Sequence, residues 1–260
     1  GIYASVAVSN REPNRSVYRD ADSEQLIKPE RLLNIETGYR KTQGRAKVEG
    51  NLFYMKYKDQ LVLTGKINNV GAAIMSNVAE SYRIGVESAF GYVFSNQFDV
   101  QGHLSVSENK ILRFTEYVDN WNFTGNPADG PNQYSFDLGK TDISFSPSVV
   151  AGFTANIQPI KSVTLAYQST YVSRQYIDNT SSISRSLDPY HVGNMRITKY
   201  LHVKHLDNMS LQLHLNNIFN AKYEANGWVY KYFLDGQEQL MDGYFPQAGF
   251  HWMAQLNIGF

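Results

Sequence analysis

Apolar and polar side chains alternate with a period of two along most of this chain, in stretches separated by polar, turn-forming segments. The last stretch shows it plainly. Phe250, Trp252, Ala254, Leu256, Ile258 and Phe260 share one parity, and His251, Met253, Gln255, Asn257 and Gly259 share the other. Successive side chains of an extended strand point to opposite faces, so this spacing predicts a strand with one apolar and one polar face. Ten segments of this kind follow one another, around Ile2, Ile35, Val48, Ile84, Val100, Phe153, Leu165, Met195, Leu213 and Leu256. Each is close to the ~9–11 residues that a tilted strand needs to cross a bilayer.

The connections between these segments alternate in length. Those at 42–45, 95–97, 158–161 and 203–208 are short, whereas those at 11–30, 58–80, 109–141, 172–189 and 221–249 are long and rich in Asn, Asp, Gly, Pro and Ser. Short turns at one end and long loops at the other are the pattern of an outer-membrane barrel. The apolar face is bulky and uncharged in strand after strand, while charge collects on the opposite face. A soluble β-sandwich would place its polar residues toward water and its charges the other way round. Aromatic residues near the segment ends, Tyr54 and Tyr57, Tyr92 and Phe94, fit girdles at the headgroup level. The fold class expected is therefore all-β, a transmembrane antiparallel β-barrel.

Composition narrows the function classes. Lys plus Arg and Asp plus Glu are both 24, so no bulk field recruits nucleic acid. The absence of cysteine excludes disulfides, thiolate metal sites and thiol nucleophiles. No run approaches the roughly 20 apolar residues of a spanning helix. Gly1 leads straight into a strand-like run with no signal segment, so the start reads as internal, and Phe260 reads as a true carboxy terminus. Carboxylates such as Asp235 and Glu238 lack a partnered His or Ser, so no catalytic constellation is signalled and no enzyme is expected.

The closing alternation, with Trp252, Leu256, Ile258 and Phe260 on one face, resembles the signal by which the barrel assembly machinery recognises its substrates. The segment LNNIFNAKY at 215–223, followed by Asn226, Gly227 and Trp228 and then by YFPQAG at 244–249, resembles TonB-dependent receptors. REPNRS at 11–16 and LLNIETGYR at 32–40 are similar to barrel strands of that family in Bacteroidetes-type bacteria. The resemblance implies a barrel of about 22 strands plugged by an amino-terminal domain. Residues 1–260 would then be the carboxy-terminal portion of that one domain, with plug and earlier strands outside this chain. It further implies import of a scarce solute, a siderophore-type chelate before a glycan, driven by the TonB complex through the plug. Outer-membrane lipid surrounds the wall and a surface lipoprotein is a further candidate partner. The alternatives from other classes are a structural or docking subunit of a surface assembly and a small non-energised porin, which a complete ten-stranded barrel would be.

Three groups of residues are singled out. Glu36, Arg40, Lys47, Glu49, Arg83 and Glu87 share the polar face of three consecutive strands, where they either pair across the wall or brace a plug. Arg11 and Arg15 lie at the rim beside Glu12 and Glu30, and Trp121, Trp228 and Tyr230 lie in long loops with Tyr232 and Phe233; these are the candidate ligand contacts. The competing reading of Arg11 is loop anchoring, and that of the aromatics is a loop hairpin that buries them. Asn216, Asn217, Phe219 and Tyr223 read as structural. His103, His214 and His251 share the inner parity, but not all on neighbouring strands, so no metal site and no cofactor are expected.

Overall fold

The computed structural model describes residues 1–20, 26–67, 73–203 and 206–259, so Phe260 lies outside the described residues. In chain order the strands are β1 (Ile2–Arg11), β2 (Glu30–Gln43), β3 (Ala46–Ile67), β4 (Ala73–Ser95), β5 (Phe98–Asn120), β6 (Gln133–Asp142), β7 (Val149–Ile160) and β8 (Val163–Val172). They continue as β9 (Gln175–Tyr176), β10 (Ser186–Leu187), β11 (Tyr190–Val203), β12 (Leu206–Asn216), β13 (Glu224–Leu234), β14 (Gln237–Pro246) and β15 (His251–Gly259). One helical turn and a half, α1 (Arg15–Asp20), follows β1.

The ten strands expected from the alternation form one continuous antiparallel wall in the order β1-β2-β3-β4-β5-β7-β8-β11-β12-β15. β1 and β15 end this path and do not pair with each other, so the sheet is open among the described residues. Register carries the apolar parity across the wall. Ala4 faces Thr37, Thr37 faces Leu52, Leu52 faces Val86, Val86 faces Val106 and Val106 faces Val149. Leu52, Val86 and Val106 are 53%, 47% and 45% exposed, so this band of aliphatic side chains is bare rather than packed on a core. A band of that kind is stable only against hydrocarbon or another apolar surface. The described residues contain no helix long and apolar enough to cross a membrane.

Glycines on the wall are covered by rings from neighbouring strands. Phe53 lies over Gly85 on the inner face, and Phe90 lies over Gly102 on the outer face. At the short-turn end Tyr92 meets Phe94 edge to face and Phe94 stacks on Phe98, with centroids 4.6 and 4.8 Å apart, as the girdle reading expects. Tyr57 departs from that reading. Its odd parity puts it on the inner face opposite Ser81, with its hydroxyl 3.6 Å from Met55 Sδ.

The long connections are more ordered than the sequence implies. Segments 58–80 and 109–141, read as loops, instead prolong β3, β4 and β5 past the wall and add β6, while 221–249 contains the β13–β14 hairpin. The alternation stops there because both faces are covered. Val62, Val78, Ile111 and Ile143 form one buried cluster, and Val17, Ile27 and Leu61 form a second. Ile177, Leu187 and Val229 form a third, beneath the β13–β14 hairpin. Most of the buried apolar side chains therefore sit above the wall and fix the loops, while the wall itself has little core.

Gly85 tests this packing. A Cβ there would approach the Val106 carbonyl oxygen to 2.5 Å, whereas one at Gly50 meets nothing within 4 Å. In the intact barrel refolded into vesicles, Gly85→Ala is expected to lower stability by about 1–3 kcal/mol and Gly50→Ala to leave it nearly unchanged, both read by urea unfolding.

Candidate functional site

The inner face carries the charges named from sequence, and they sit on β2, β3 and β4. Arg40 and Glu49 are direct cross-strand partners and form an ion pair. The other four are not joined to it by hydrogen bonds. Glu36 accepts from Asn34 Nδ2 at 2.7 Å, and Arg83 donates to Asn109 Oδ1 at 3.1 Å and Ser146 Oγ at 3.0 Å. Glu87 lies between Asn51 and Ser105 in the register. Lys47 lines a cleft of about 420 Å³ with Gln101, His103 and Thr154. The cleft exists because Gly91 and Gly152 have no side chains, and the His103 ring lies over Gly152, where a Cβ would come within 2.2 Å of it. His214 and His251 stand on the adjacent strands β12 and β15, but the described residues contain no group of three or more His, Cys, Asp or Glu that could hold a metal.

At the long-loop end, Arg11 forms a two-point pair with Glu30, at 2.9 and 3.1 Å, and Glu30 also accepts from the Leu61 amide at 3.1 Å. Arg11 and Glu30 thus join the facing ends of β1 and β2. Arg15 opens α1 and is exposed. Trp121 and Tyr230, more than a hundred residues apart, are brought together: Trp121 Nε1 donates to Tyr230 Oη at 2.9 Å, and Tyr230 Oη donates to Asp119 at 2.6 Å. Trp121 also stacks on Tyr232 with centroids 3.9 Å apart, yet remains 52% exposed. Trp228 lies elsewhere on the hairpin, its ring over Gly243. The backbone explains the meeting of Trp121 and Tyr230, because β13 runs parallel to the end of β5, pairing Tyr232 with Asp119 and Phe233 with Asn120.

Beneath these rings lies an ionic chain that the sequence did not reveal. Arg185 contacts Glu116 and Asp178, both at 2.6 Å, and Lys231 contacts Glu116 at 3.5 Å and Glu238 at 2.9 Å. Asn179, fully buried, donates to the Leu63 carbonyl and accepts from the Ser144 amide at 2.8 Å. Together these residues tie β5, the 173–189 loop, β3 and the β13–β14 hairpin into one cap. Burial opposes the Arg185 charge, but Asp178 and Glu116 outweigh it and hold the guanidinium above its ordinary range. Burial and the bond to Asp119 push the Tyr230 phenol up to about 12.

The family-like segment 215–223 closes the wall at the same end. Asn217 has φ 50° and is buried; its Nδ2 donates to the Ala221 and Ala248 carbonyls at 2.9 and 3.0 Å, and its Oδ1 accepts from the Ala221 amide at 2.9 Å. Phe219 stacks on His191 and covers Gly193, and Tyr223 stacks on Tyr190 at 4.4 Å. Asn217 thus holds backbone, while Phe219 and Tyr223 pack their rings against the neighbouring strand.

Two outcomes follow for the cap. Arg185→Ala leaves buried Asp178 without its cation and Glu116 with Lys231 alone, and is expected to weaken the cap by about 3 kcal/mol, seen as faster protease cleavage within 173–189 while the wall stays resistant. Because the Tyr230 pKa is raised in the folded state, its contribution is complete below pH 10 and lost as pH rises from 10 through about 12. Trp121 emission should shift over that window, and Tyr230→Phe should abolish the shift.

Residues 1–218 match the family model described as TonB dependent receptor-like, beta-barrel. A search of curated proteins found no match. Among solved structures, the siderophore receptor PiuA from Acinetobacter baumannii superposes with a TM-score of 0.67 at 14% identity, covering 99% of this chain and 33% of that one. The copper transporter OprC gives 0.65 at 12% identity, covering 98% and 36%. The ferric-catecholate import receptor Fiu from E. coli gives 0.62 at 15% identity, covering 98% and 32%. This chain spans about a third of the length of those structures, and the shared architecture is the barrel wall. On the match over residues 1–218, the chain belongs to the TonB-dependent receptor-like β-barrel family.

Proposed function

We propose that this chain is the carboxy-terminal part of the barrel of a TonB-dependent receptor that imports a scarce solute, a siderophore-type metal chelate, across a bacterial outer membrane of Bacteroidetes type. The observation that carries the reading is the ordered cap of long loops folded over one end of a wall with a bare apolar outer face and a polar inner face. A barrel wide enough to hold a plug would leak if open, and capture of a dilute ligand by ordered loops makes its release unfavourable without work. Among the described residues the outer edges of β1 and β15 have no strand beside them, and hydrocarbon does not tolerate unpaired backbone groups, so further strands would close the wall. A plug inside it would meet Glu36, Lys47, Glu87 and the His103 cleft, and would carry the contact to the TonB complex.

In this reading the exposed face of Trp121, held by Tyr230 and Tyr232, contacts the ligand together with Arg15, while Arg11 anchors the rim. Trp252, Leu256, Ile258 and Phe260 present the assembly signal, and a surface lipoprotein would sit over the loops. PiuA is a siderophore receptor, OprC a copper transporter and Fiu a ferric-catecholate import receptor, which favours a chelate over a glycan.

A strain lacking the receptor should regain growth on a ferric chelate as sole iron source when given the full-length protein, and lose it again when the TonB complex is removed. Trp121→Ala should weaken ligand binding about three- to tenfold with the barrel still assembled, measured by titration of the purified receptor. Uptake that persists without TonB would replace the transporter reading with a passive pore.

A further inference from the structure

The acids on the inner face of the wall are confined to one half of it. Glu36, Glu49, Glu87 and Asp99 all stand on β2 to β5. Beyond β5 the register continues the same face in amides and hydroxyls. Thr154, Gln168 and Asn194 share one row, and Thr164, Thr198, Gln212 and Gln255 share another nearer the short turns. The row between them reads Asn156, Ala166, Arg196, His214 and Met253. No Asp or Glu occurs in these three rows from β7 to β15, and Arg196, midway along β11, is their one Arg or Lys.

Arg196 is exposed, and among the described residues it has no hydrogen-bond or ion-pair partner. Its cross-strand neighbours, Ala166 and His214, bring no counter-charge. The acid in line with its row, Asp99, lies three strands away, roughly 14 Å at ~4.8 Å per strand, and accepts from Asn156 at 3.0 Å. Arg40 and Arg83, on the acidic half, are by contrast tied to Glu49 and to Asn109 and Ser146. Neither pairing nor packing within the wall therefore accounts for Arg196.

We propose that Arg196 is a way station inside the barrel for an anionic metal chelate, and that the solute crosses along the amide-lined half of the wall, β7 to β15, rather than past the acids of β2 to β5. This rests on the chelate-import reading and adds to it the charge of the cargo and the side on which it passes. Charge selects an anion. Carboxylate and catecholate complexes of iron carry net negative charge, and the planar guanidinium offers their oxygens two parallel donors. Position selects passage rather than capture, because Arg196 lies at mid-wall, below the cap. Low-dielectric walls extend the reach of a single charge in a lumen, and the carboxylates of the other half repel the same anion. The surrounding amides and hydroxyls donate to oxygens without adding charge, so the complex is held weakly enough to leave, as conduction requires.

Cells whose only iron receptor is the full-length protein can be given radiolabelled iron as an anionic tris-catecholate complex or as a neutral tris-hydroxamate complex. Arg196→Gln should assemble normally and lower the maximal rate of tris-catecholate uptake about fivefold or more, with the half-saturating concentration unchanged because capture takes place at the cap. Arg196→Lys should keep most of that rate, and any tris-hydroxamate uptake should stay at the parent level in both variants. An unchanged maximal rate in Arg196→Gln overturns the proposal, as does parent uptake confined to the neutral complex. Equal loss of both complexes, or new sensitivity to a large antibiotic, overturns it too and marks Arg196 as a brace for the plug. Uptake of neither complex by the parent sinks the chelate reading itself, and the way station with it.

Discussion

A backbone amide or carbonyl in hydrocarbon has no water to bond with, and every other feature of this wall follows from that constraint. Antiparallel pairing satisfies these groups between strands and leaves the side chains to decide which face meets which solvent. Once Leu52, Val86 and Val106 are aligned in one row, Phe53, Gly85 and Ser107 are necessarily aligned in the row behind it. A slip of one residue would turn charged Glu49 and Arg83 toward lipid, so the register is fixed by what surrounds the sheet. Buried core is unnecessary where the solvent itself is apolar, which is why the aliphatic side chains of the wall remain bare.

The same constraint explains what was legible in the sequence. Lipid on one side and polar surroundings on the other enforce a strict period of two, and the ten wall strands appear wherever that period is visible. It vanishes where β3 and β4 rise above the wall, because Gln60, Leu61 and Val62 are successive buried residues packed from both sides. Such a stretch reads as an irregular loop although it is paired strand. The ionic cap was out of reach for a different reason. Glu116, Asp178, Arg185 and Lys231 are ordinary charged residues in polar segments; the parallel pairing of β13 with β5 brings Lys231 to Glu116, and the 173–189 loop brings Asp178 and Arg185.

Sequence reasoning did better on types than on partners. The inner parity put Arg40 and Glu49 on one face without naming them partners, and the register, close to a short turn, makes them direct cross-strand neighbours. Arg83 had acidic candidates on its own face and instead found Asn109, its register partner on β5, and Ser146, because Glu87 lies four residues further along β4, against Ser105. Among the loop aromatics, Trp121 and Tyr230 were correctly placed in long connections, but only the fold shows that they meet. Trp228, of the same type in the same hairpin, spends its ring on covering Gly243.

The distribution of order then divides labour between the two ends. The short-turn end is held by tight hairpins and by stacked rings such as Phe94 on Phe98, and it needs no further device. The long-loop end must stand in water above a wall that has almost no core. It is stabilised by three small apolar clusters and by ion pairs linked within the cap. With Arg185 and Lys231 paired to Glu116, Asp178 and Glu238 beneath it, the cap presents an aromatic surface around Trp121. A planar, partly exposed indole backed by two tyrosines is a rigid contact that a ligand can meet without paying to order it. Matched charge beneath and an ordered ring above therefore belong to one design: the first removes the cost of burial, and the second uses the resulting rigidity.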